Sequence, residues 1–380
     1  MSRLVFERKP VKFAAARLAG ALSPGRGASV GPLKLESSEV LPLPSDEWVR
    51  IRPHLSGICG SDLAVIDGTA SAYFDPLVSY PFTPGHEVVA TTEDGRRVVL
   101  IPVLHCAIRG IDPVCTMCAD GRINLCEHVA FGHIEAGLQS GFCTDTGGGW
   151  STSMIAHASQ LVDVPEDLSD EAAVMIEPTA CAVHAAARYQ GHETVIIGAG
   201  TVGLLTLAAI TATRDSERSG PLIVAARYAE QRRLAKELGA DIACTPDEMP
   251  RWVRSMSKSM VMGDQLSSGF RHVVDCVGSS ASLQQSLQVV APGGEVQLVG
   301  MPGNVSLEMT SLWHREVAIR GCYAYTRDDF IAAIDVVRRL DLGRLVSATY
   351  PLVDYKDAIA HAASAGRRGA VKVAFDLRES

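Results

Sequence analysis

The sequence contains no long run of lysine or arginine, and its formal net charge is −8. Nucleic acid and an anionic membrane are therefore not expected as partners. Charged residues, among them Glu7, Lys9, Lys12 and Arg17, also interrupt every apolar run of residues 1–27, so a secretory signal is not expected either. These absences predict a cytoplasmic protein, in which clustered cysteines serve as metal ligands or catalysts before they form disulfides.

One stretch could be mistaken for a membrane span. Residues 194–212 carry no charge and are long enough to cross a bilayer. However, Gly198, Gly200 and Gly203 interrupt the stretch, and its β-branched residues precede the glycines. A buried strand, a tight turn and a buried helix are therefore expected.

The chain changes character along its length. Its 380 residues favour two domains, at ~100–200 residues each. Short alternating runs such as EWVRIRPHLSG predict a β-rich part from about residue 30 to 165. Between about 182 and 322, apolar runs such as ETVIIGAG and HVVDCVGS alternate with helical stretches such as AEQRRLAKELGAD, which predicts a parallel sheet. A helix near RDDFIAAIDVVRRL and a strand AVKVAFDL follow.

The turn VIIGAGTVG fits the pattern G-x-G-x-x-G between a predicted strand and a predicted helix. The first glycine permits the turn, the second lets a pyrophosphate approach the backbone, and the third lets the helix pack on the strand. A glycine turn can also be no more than a turn. Because strand, turn and helix agree here, the pattern predicts dinucleotide binding.

A second group of residues has metal-ligand chemistry. GICGSDL supplies Cys59, PGHEVVA supplies His86 and Glu87, and MIEPTACAVHAA supplies Glu177 before Pro178. Cysteine, histidine and a carboxylate with an open position form catalytic zinc sites. The alternative is a buried thiol with a core histidine. A glutamate is a poor helix N-cap, which adds weight to an active-site role for Glu177.

The order of these motifs, GICGSD, PGHE, a cysteine cluster, IEP, GAGTVG, LAKELGAD and APGGEVQLVG, resembles the zinc-dependent medium-chain dehydrogenase/reductase family over residues of about 30 to 378. The threonine, polyol and glucose dehydrogenase branches are most similar. The resemblance implies an α/β protein with a GroES-like β-rich catalytic domain (1–181 and 323–380) and an inserted Rossmann domain (182–322).

The resemblance also implies residue roles. Cys59, His86 and Glu177 would surround a catalytic zinc, and Glu87 would be an intermittent or neighbouring ligand. Ser61 would supply the hydroxyl beside the substrate oxygen, and Asp62 would hold the ring of His86. Many relatives end the proton relay at a histidine where this chain has Ala64. A ribose hydroxyl and water would then complete the route to solvent.

The stretch CAIRGIDPVCTMCADGRINLC resembles the lobe that holds a second, structural zinc in the family. Cys115, Cys118 and Cys126 keep the usual gaps, whereas Cys106 lies nine positions before Cys115 across an enlarged loop. Four thiolates would form a closed tetrahedral site, and free thiols are the alternative. His105 or His128 could replace Cys106. Such lobes help subunits associate, so a dimer or tetramer of this chain is expected.

The cofactor is expected to be NADP rather than NAD. In dinucleotide folds an acidic residue at the end of the second strand binds the ribose hydroxyls of NAD. This chain has Ala226 there, followed by Arg227, and Arg232 or Arg233 could assist in pairing with a 2′-phosphate. The expected cofactor-binding residues are Gly198, Gly200, Thr201, Val202, Gly203, Ala226, Arg227, Arg232, Val277, Val299 and Met301.

The expected activity is reversible hydride transfer between a nicotinamide cofactor and an alcohol or polyol, or its carbonyl. A zinc-free quinone or enoyl reductase and a non-catalytic dinucleotide-binding protein on the same fold are the alternatives, and the Cys, His and Glu set argues against both. The substrate itself is not predicted. In IDGTASAYFDPLVSYPF, Asp67, Tyr73 and Tyr80 could meet substrate hydroxyls or face water.

Overall fold

The computed structural model describes residues 1–215, 217–263, 265–301 and 303–378. The strands are β1 (Ser2–Phe6), β2 (Leu33–Ser37), β3 (Trp48–Gly57), β4 (Val88–Thr92), β5 (Arg97–Leu100), β6 (Met154–His157), β7 (Leu161–Asp163), β8 (Thr194–Ile197), β9 (Leu222–Ala225), β10 (Ile242–Cys244), β11 (Val261–Met262), β12 (Gln265–Leu266), β13 (Phe270–Asp275), β14 (Val290–Leu298), β15 (Ala318–Gly321), β16 (Val346–Pro351) and β17 (Lys372–Asp376). The helices are α1 (Pro10–Leu22), α2 (Gly27–Val30), α3 (Gly60–Ile66), α4 (Thr116–Ala119), α5 (Asp170–Ala173), α6 (Ile176–Ala186), α7 (Thr201–Thr213), α8 (Ala229–Glu237), α9 (Met249–Ser257), α10 (Ser280–Val289), α11 (Thr310–His314), α12 (Arg327–Arg339) and α13 (Tyr355–Ala363).

The chain forms two units, one of Met1–Glu177 with Tyr325–Ser380 and one of Pro178–Ala324. In the first unit, β16, β17, β3, β4, β5 and β7 pair in that order, and β6 also pairs with β3. Strand β3 has the alternation of a strand with one buried face, because Ile51, Pro53 and Leu55 are buried, whereas Arg52 and His54 between them are exposed or half-buried. The β-rich part predicted from the sequence is confirmed.

The N-terminal strands β1 and β2 form a separate antiparallel pair. Helices α1 and α2 lie between them in the chain, and the sequence analysis did not predict either helix. The turn between these helices is tied to the end of α3, because the Asp67 carboxylate accepts hydrogen bonds from the backbone N–H groups of Gly25 and Gly27, at 2.6 and 2.9 Å. A Cβ atom at Gly27 would lie 2.2 Å from the Ile66 carbonyl oxygen, so the position requires glycine.

The second unit contains a parallel sheet with the order β10-β9-β8-β13-β14-β15. Numbered by their sequence within this sheet, the strands run 3-2-1-4-5-6, which is the Rossmann order. Ligands of such sheets bind at the carboxyl ends of the strands, where the order reverses. Here the reversal lies between β8 and β13. The predicted α/β fold with a Rossmann sheet is confirmed.

The uncharged stretch at 194–212 divides as the sequence predicts. Strand β8 ends at Ile197, a turn contains Gly198 and Gly200, and α7 begins at Thr201. Within the part of the chain that the structure describes, no helix is both long enough and apolar enough to span a bilayer.

Candidate metal centres and cofactor loop

Three predicted ligands meet in the first unit. The thiol of Cys59 precedes α3, and His86 and Glu87 precede β4. One ligand atom from each of the three residues lies within 4.8 Å of the others. Histidine and glutamate are almost fully buried at 4% and 1% exposure, which leaves their polar atoms dependent on partners inside the protein.

Asp62 connects two of these ligands. Its Oδ2 accepts a hydrogen bond from the Cys59 backbone N–H at 3.0 Å, which fixes the start of α3. Its Oδ1 lies 3.6 Å from Nδ1 of His86, and both atoms are buried without another partner among the described residues. Burial alone would lower the pKa of His86, but the Asp62 charge raises it well above the ordinary value. The structure places Asp62 where the sequence analysis expects it to orient the ring.

Glu87 has a partner that the sequence analysis missed. Lys372 on β17 donates from Nζ to both carboxylate oxygens at 2.6 Å, and it is only 2% exposed. Gly57 leaves room for this pair, since a Cβ there would lie 1.8 Å from Glu87 Oε2. Burial would lower the pKa of Lys372, but the Glu87 charge raises it. The only sequence signal was a lysine inside the apolar strand AVKVAFDL.

Glu177 lies outside the group of three ligand atoms. Its Oε1 accepts a hydrogen bond from Oη of Tyr325 at 2.7 Å, and both residues are buried. Burial, with the nearby Glu87 charge, raises the pKa of Glu177 to about 7, although the charge of His86 opposes the shift. The structure therefore brings Glu177 into the electrostatic neighbourhood of the other ligands. Tyr325 was also missed, because it stands 148 residues away in the chain.

The four predicted cysteines of the lobe come together. The Sγ atoms of Cys106, Cys115, Cys118 and Cys126 lie within 4.8 Å of one another. Cys106 and Cys126 are 3.6 Å apart, close to the about 3.8 Å edge of a tetrahedral zinc–thiolate site with bonds of about 2.3 Å. Of the two histidines considered as replacements, His128 places Nδ1 3.3 Å from the Cys106 sulfur. His105 is not part of the cysteine cluster.

Backbone N–H groups point at the sulfurs. The amides of Glu127 and His128 donate to Cys115 and Cys126 at 3.5 and 3.4 Å. Burial raises the pKa of the Cys115 thiol, but the Glu127 hydrogen bond and others outweigh burial and lower the pKa to about 6. For Cys126, burial dominates and raises the pKa to about 11. Such amide–sulfur bonds stabilise thiolates, the form that binds metal.

The enlarged loop after Cys106 is organised by Arg109. This guanidinium is fully buried and donates to the carbonyl oxygens of Leu104, Phe131, Ile134, Glu135 and Gly137, at distances of 2.7 to 3.2 Å. The loop can therefore lengthen the gap between Cys106 and Cys115 without moving Cys106 away from its partners. This role could not be predicted from the sequence, because backbone carbonyl partners leave no side-chain pattern.

The glycine turn lies at the carboxyl end of β8. Gly198 has φ of 91°, and a Cβ at Gly203 would lie 1.9 Å from the Gly198 oxygen. A Cβ at Gly200 would meet no atom within 4 Å, so open space adjoins the second glycine. Thr201 and Val202 form the first turn of α7. The remaining predicted residues follow the two next strands of the sheet: Val277 after β13, and Val299 and Met301 after β14.

The end of β9 carries no acidic residue. Ala226 is buried, and Arg227 is exposed without an ion pair among the residues described. Arg232 donates from Nη1 to the carbonyl oxygens of Ala226 and Arg227, each at 2.8 Å. Arg233 forms ion pairs with Glu230 and Glu237 on its own helix. Of the three arginines, only Arg227 therefore has a guanidinium without a hydrogen-bond or ion-pair partner among the described residues.

One suggestion about the substrate loop is wrong. Asp67 neither faces water nor awaits a hydroxyl, because it is 7% exposed and binds the two backbone N–H groups of the α1–α2 turn. Tyr73 is 73% exposed. Tyr80 packs against Phe6 and Phe82 with ring centroids 6.3 and 5.3 Å away, and burial raises its pKa.

Comparison with known proteins adds independent information. The alcohol dehydrogenase GroES-like domain matches residues 45–166, and the zinc-binding dehydrogenase domain matches residues 207–339. L-idonate 5-dehydrogenase of Vitis vinifera is 29% identical over 362 residues, which cover 89% of this chain and 90% of that protein. Sorbitol dehydrogenase of Arabidopsis thaliana is 29% identical over 360 residues, or 89% and 91% of the two chains.

Solved structures share the fold. Galactitol-1-phosphate dehydrogenase from Escherichia coli superimposes with a TM-score of 0.72 at 19% identity, covering 99% of this chain and 100% of that one. The two matched domains follow each other in the predicted order, and the relatives match nearly end to end. The resemblance inferred from the motifs is thus confirmed, and the chain belongs to the zinc-type medium-chain dehydrogenase family.

Proposed function

We propose that this protein is a zinc-dependent, NAD(P)-linked dehydrogenase that oxidises a polyol or related secondary alcohol and reduces the corresponding carbonyl. The observation that carries the proposal is the convergence of Cys59, His86 and Glu87 in a buried site next to Glu177. A zinc-free quinone or enoyl reductase does not require these metal-ligating residues. The relatives named for sorbitol and L-idonate support a polyhydroxylated substrate.

The residues present fit a zinc ion. Cys59, His86 and Glu177 would hold it, and Glu87 would be a neighbouring ligand that is already neutralised by Lys372. When bound, zinc supplies Lewis-acid stabilisation of the oxygen that is an alkoxide in one direction and a carbonyl in the other. Nδ1 of His86 and Oδ1 of Asp62 lie 3.6 Å apart, and neither has another partner among the residues that the structure describes. A carboxylate in this position is expected behind a metal-bound imidazole.

The protein's own groups prepare the site. Asp62 orients His86 so that the other ring nitrogen, Nε2, remains for the metal. Tyr325 fixes one carboxylate oxygen of Glu177 and leaves the other for coordination. Ser61, half-buried on the first turn of α3, accepts the alcohol proton at Oγ and passes it outward. Because Ala64 cannot titrate, a ribose hydroxyl of the cofactor, when it is bound, and water would complete the route of the proton to solvent.

A second zinc would stabilise the lobe. Cys106, Cys115, Cys118 and Cys126 offer four sulfurs, a set that fills a tetrahedral ion and leaves no position for substrate. Its contribution would therefore be to folding and subunit association, in the dimer or tetramer that we propose. No disulfide links cysteines among the described residues, which supports a reducing compartment such as the cytoplasm.

The nicotinamide cofactor would lie at the carboxyl ends of β8, β13 and β14, with its pyrophosphate beside Gly200. When bound, it supplies the hydride acceptor or donor. We propose NADP over NAD, because β9 ends without the carboxylate that would repel a 2′-phosphate and because Arg227 is available to pair with one. Arg232 serves instead to hold the strand end in place.

The test is an absorbance assay of nicotinamide reduction with sorbitol, L-idonate and simple secondary alcohols, run beside zinc analysis. Cys59→Ala should remove one zinc and nearly all turnover, whereas Cys244→Ala, a buried cysteine of the other unit, should remove neither. Glu177→Ala should lower turnover more than cofactor affinity. Purified protein that contains no zinc, or that turns over only quinones or enoyl substrates, would overturn the proposal. Cofactor binding without any turnover would favour the non-catalytic alternative.

A further inference from the structure

A basic segment separates the first two strands of the chain. Residues 8–31, here called the N-terminal helical segment, contain Arg8, Lys9, Lys12, Arg17 and Arg26 and no acidic residue, in a chain of net charge −8. The segment precedes residues 45–166, the part that matches the GroES-like domain. Neither the proposed metal ligands nor the proposed cofactor-binding residues lie in this segment.

One face of α1 is apolar and exposed. Val11, Leu18 and Leu22 are 84%, 72% and 81% exposed, values close to those of an extended chain. Their spacing of seven and four residues puts them on the same side of a helix of 3.6 residues per turn, and the exposed Ala14 and Ala21 lie beside them. A contiguous group of exposed aliphatic side chains is rare on a protein surface and marks an interaction site.

Cations border the apolar ridge that Val11, Leu18 and Leu22 form on α1, on both of its sides. A rotation of about 100° per residue places Lys12 and Arg17 on opposite flanks of the face centred on Leu18. Both are exposed, and neither forms an ion pair with a residue that the structure describes. Their aliphatic stems can lie along apolar surroundings while the charged ends reach a polar layer.

The ridge is held on a fixed base. Phe13, Ala16 and Gly20 face the body of the unit, and a Cβ at Gly20 would lie 2.7 Å from Cβ of Asp67. The Asp67 carboxylate in turn binds the two backbone N–H groups that follow α1. Helix α1 is therefore packed firmly on its inner side. Its outer face is a fixed surface that the unit exposes.

We propose that this face docks on the surface of a lipid bilayer that contains anionic headgroups. An apolar ridge bordered by lysine and arginine is the arrangement of helices that lie in the membrane interface. A second copy of the chain is disfavoured, because the same cationic borders would face each other. Helix α1 exposes no aromatic side chain, whereas aromatic anchors are typical of protein interfaces.

This proposal revises the expectation drawn from the net charge. A value of −8 averages over the whole chain and conceals a segment in which every charge is positive. Surface docking needs no membrane-spanning helix, and it is independent of the proposed enzymatic activity. Failure of one proposal therefore leaves the other standing.

The experiment measures co-sedimentation of the full-length, metal-loaded protein with vesicles of phosphatidylcholine alone or of equimolar phosphatidylcholine and phosphatidylglycerol. The wild type should bind the anionic vesicles, bind the neutral vesicles weakly, and dissociate as salt is raised. Leu18→Glu should weaken binding by at least about tenfold, because it removes one buried apolar side chain and adds a repelled charge. Val353→Glu is the matched control, since Val353 is 69% exposed elsewhere in the same unit.

Three results would overturn the proposal. The first is no binding of the wild type to the anionic vesicles at low salt, and the second is equal loss of binding in the two glutamate variants. The third is concentration-dependent self-association, measured by sedimentation velocity without vesicles, that Leu18→Glu abolishes. That outcome would assign the ridge to a second copy of the chain.

Discussion

The buried pair of Lys372 and Glu87 offers the sharpest test of how the first unit is held together. Both side chains are at most 2% exposed, and the ammonium group contacts both carboxylate oxygens at 2.6 Å. Replacing Lys372 by methionine keeps the length of the side chain but leaves the Glu87 carboxylate buried without its counter-charge. Breaking a buried pair in this way costs about 3–5 kcal/mol, because the remaining charge is no longer compensated.

The double variant separates the pair's attraction from the cost of burying charge. Lys372→Met combined with Glu87→Gln removes both charges, so its unfolding free energy should lie within about 1 kcal/mol of the wild type. Each single variant alone should be clearly less stable. The non-additivity of the cycle, rather than either single value, measures the coupling between the two side chains.

Urea unfolding of the metal-free protein, followed by tryptophan fluorescence, provides the measurement. Trp48 and Trp150 are buried in the first unit, whereas Trp252 and Trp313 in the second are 43% and 78% exposed. The fluorescence change therefore reports mainly on the first unit. If Lys372→Met cost less than about 1 kcal/mol, or if the double variant were less stable than both single variants, the reasoning about a compensated buried charge would be refuted.

Three further predictions concern other buried or exposed groups. Arg109→Met should leave five carbonyl oxygens of the lobe without their donor, destabilise the lobe and reduce its zinc content in metal analysis; a variant with full metal content and unchanged stability would contradict this role. Burial lowers the pKa of His272 in the folded chain, so folding stability falls as pH drops below about 6.5, where the histidine of the unfolded chain gains a proton that the buried ring does not accept; melting curves of His272→Gln should be less pH-sensitive than those of the wild type, and equal sensitivity would refute this. Arg227→Ala should raise KM for NADP about tenfold and leave KM for NAD unchanged, whereas an equal effect on both cofactors would exclude a phosphate contact.

The parts of the fold that follow local patterns could be predicted from the sequence. Alternation in β3 and the glycine turn after β8 each depend on neighbouring residues, and both predictions hold in the structure. Helix α1 was missed because its exposed face carries Val11, Leu18 and Leu22. The ordinary rule that apolar residues mark the buried face gives no clear amphipathic pattern there.

The parts of the site that depend on distant partners could not be predicted. The proposed ligands Cys59 and His86 stand in recognisable motifs, but Lys372 lies 285 residues from Glu87, and Tyr325 lies 148 residues from Glu177. Nothing near either partner in the chain marks it as part of a metal site. Asp67 shows the converse error, because an acidic residue in a loop suggests a substrate contact when its actual partners are backbone N–H groups.

The charges around the proposed catalytic zinc would favour a dication at this site. Asp62, Glu87 and Glu177 contribute three carboxyl groups to one buried region, and Lys372 is a fixed cation paired with only one of them. Without a metal, protons reduce the excess negative charge: the pKa of Glu177 rises to about 7, chiefly through burial, and that of His86 rises well above its ordinary value despite burial. A zinc ion bound by a thiolate, a neutral imidazole and a carboxylate would neutralise the same excess without protons. The residues that hold protons in the metal-free chain are thus the ones proposed to release them to a metal, which is the behaviour expected of ligands rather than of structural core residues.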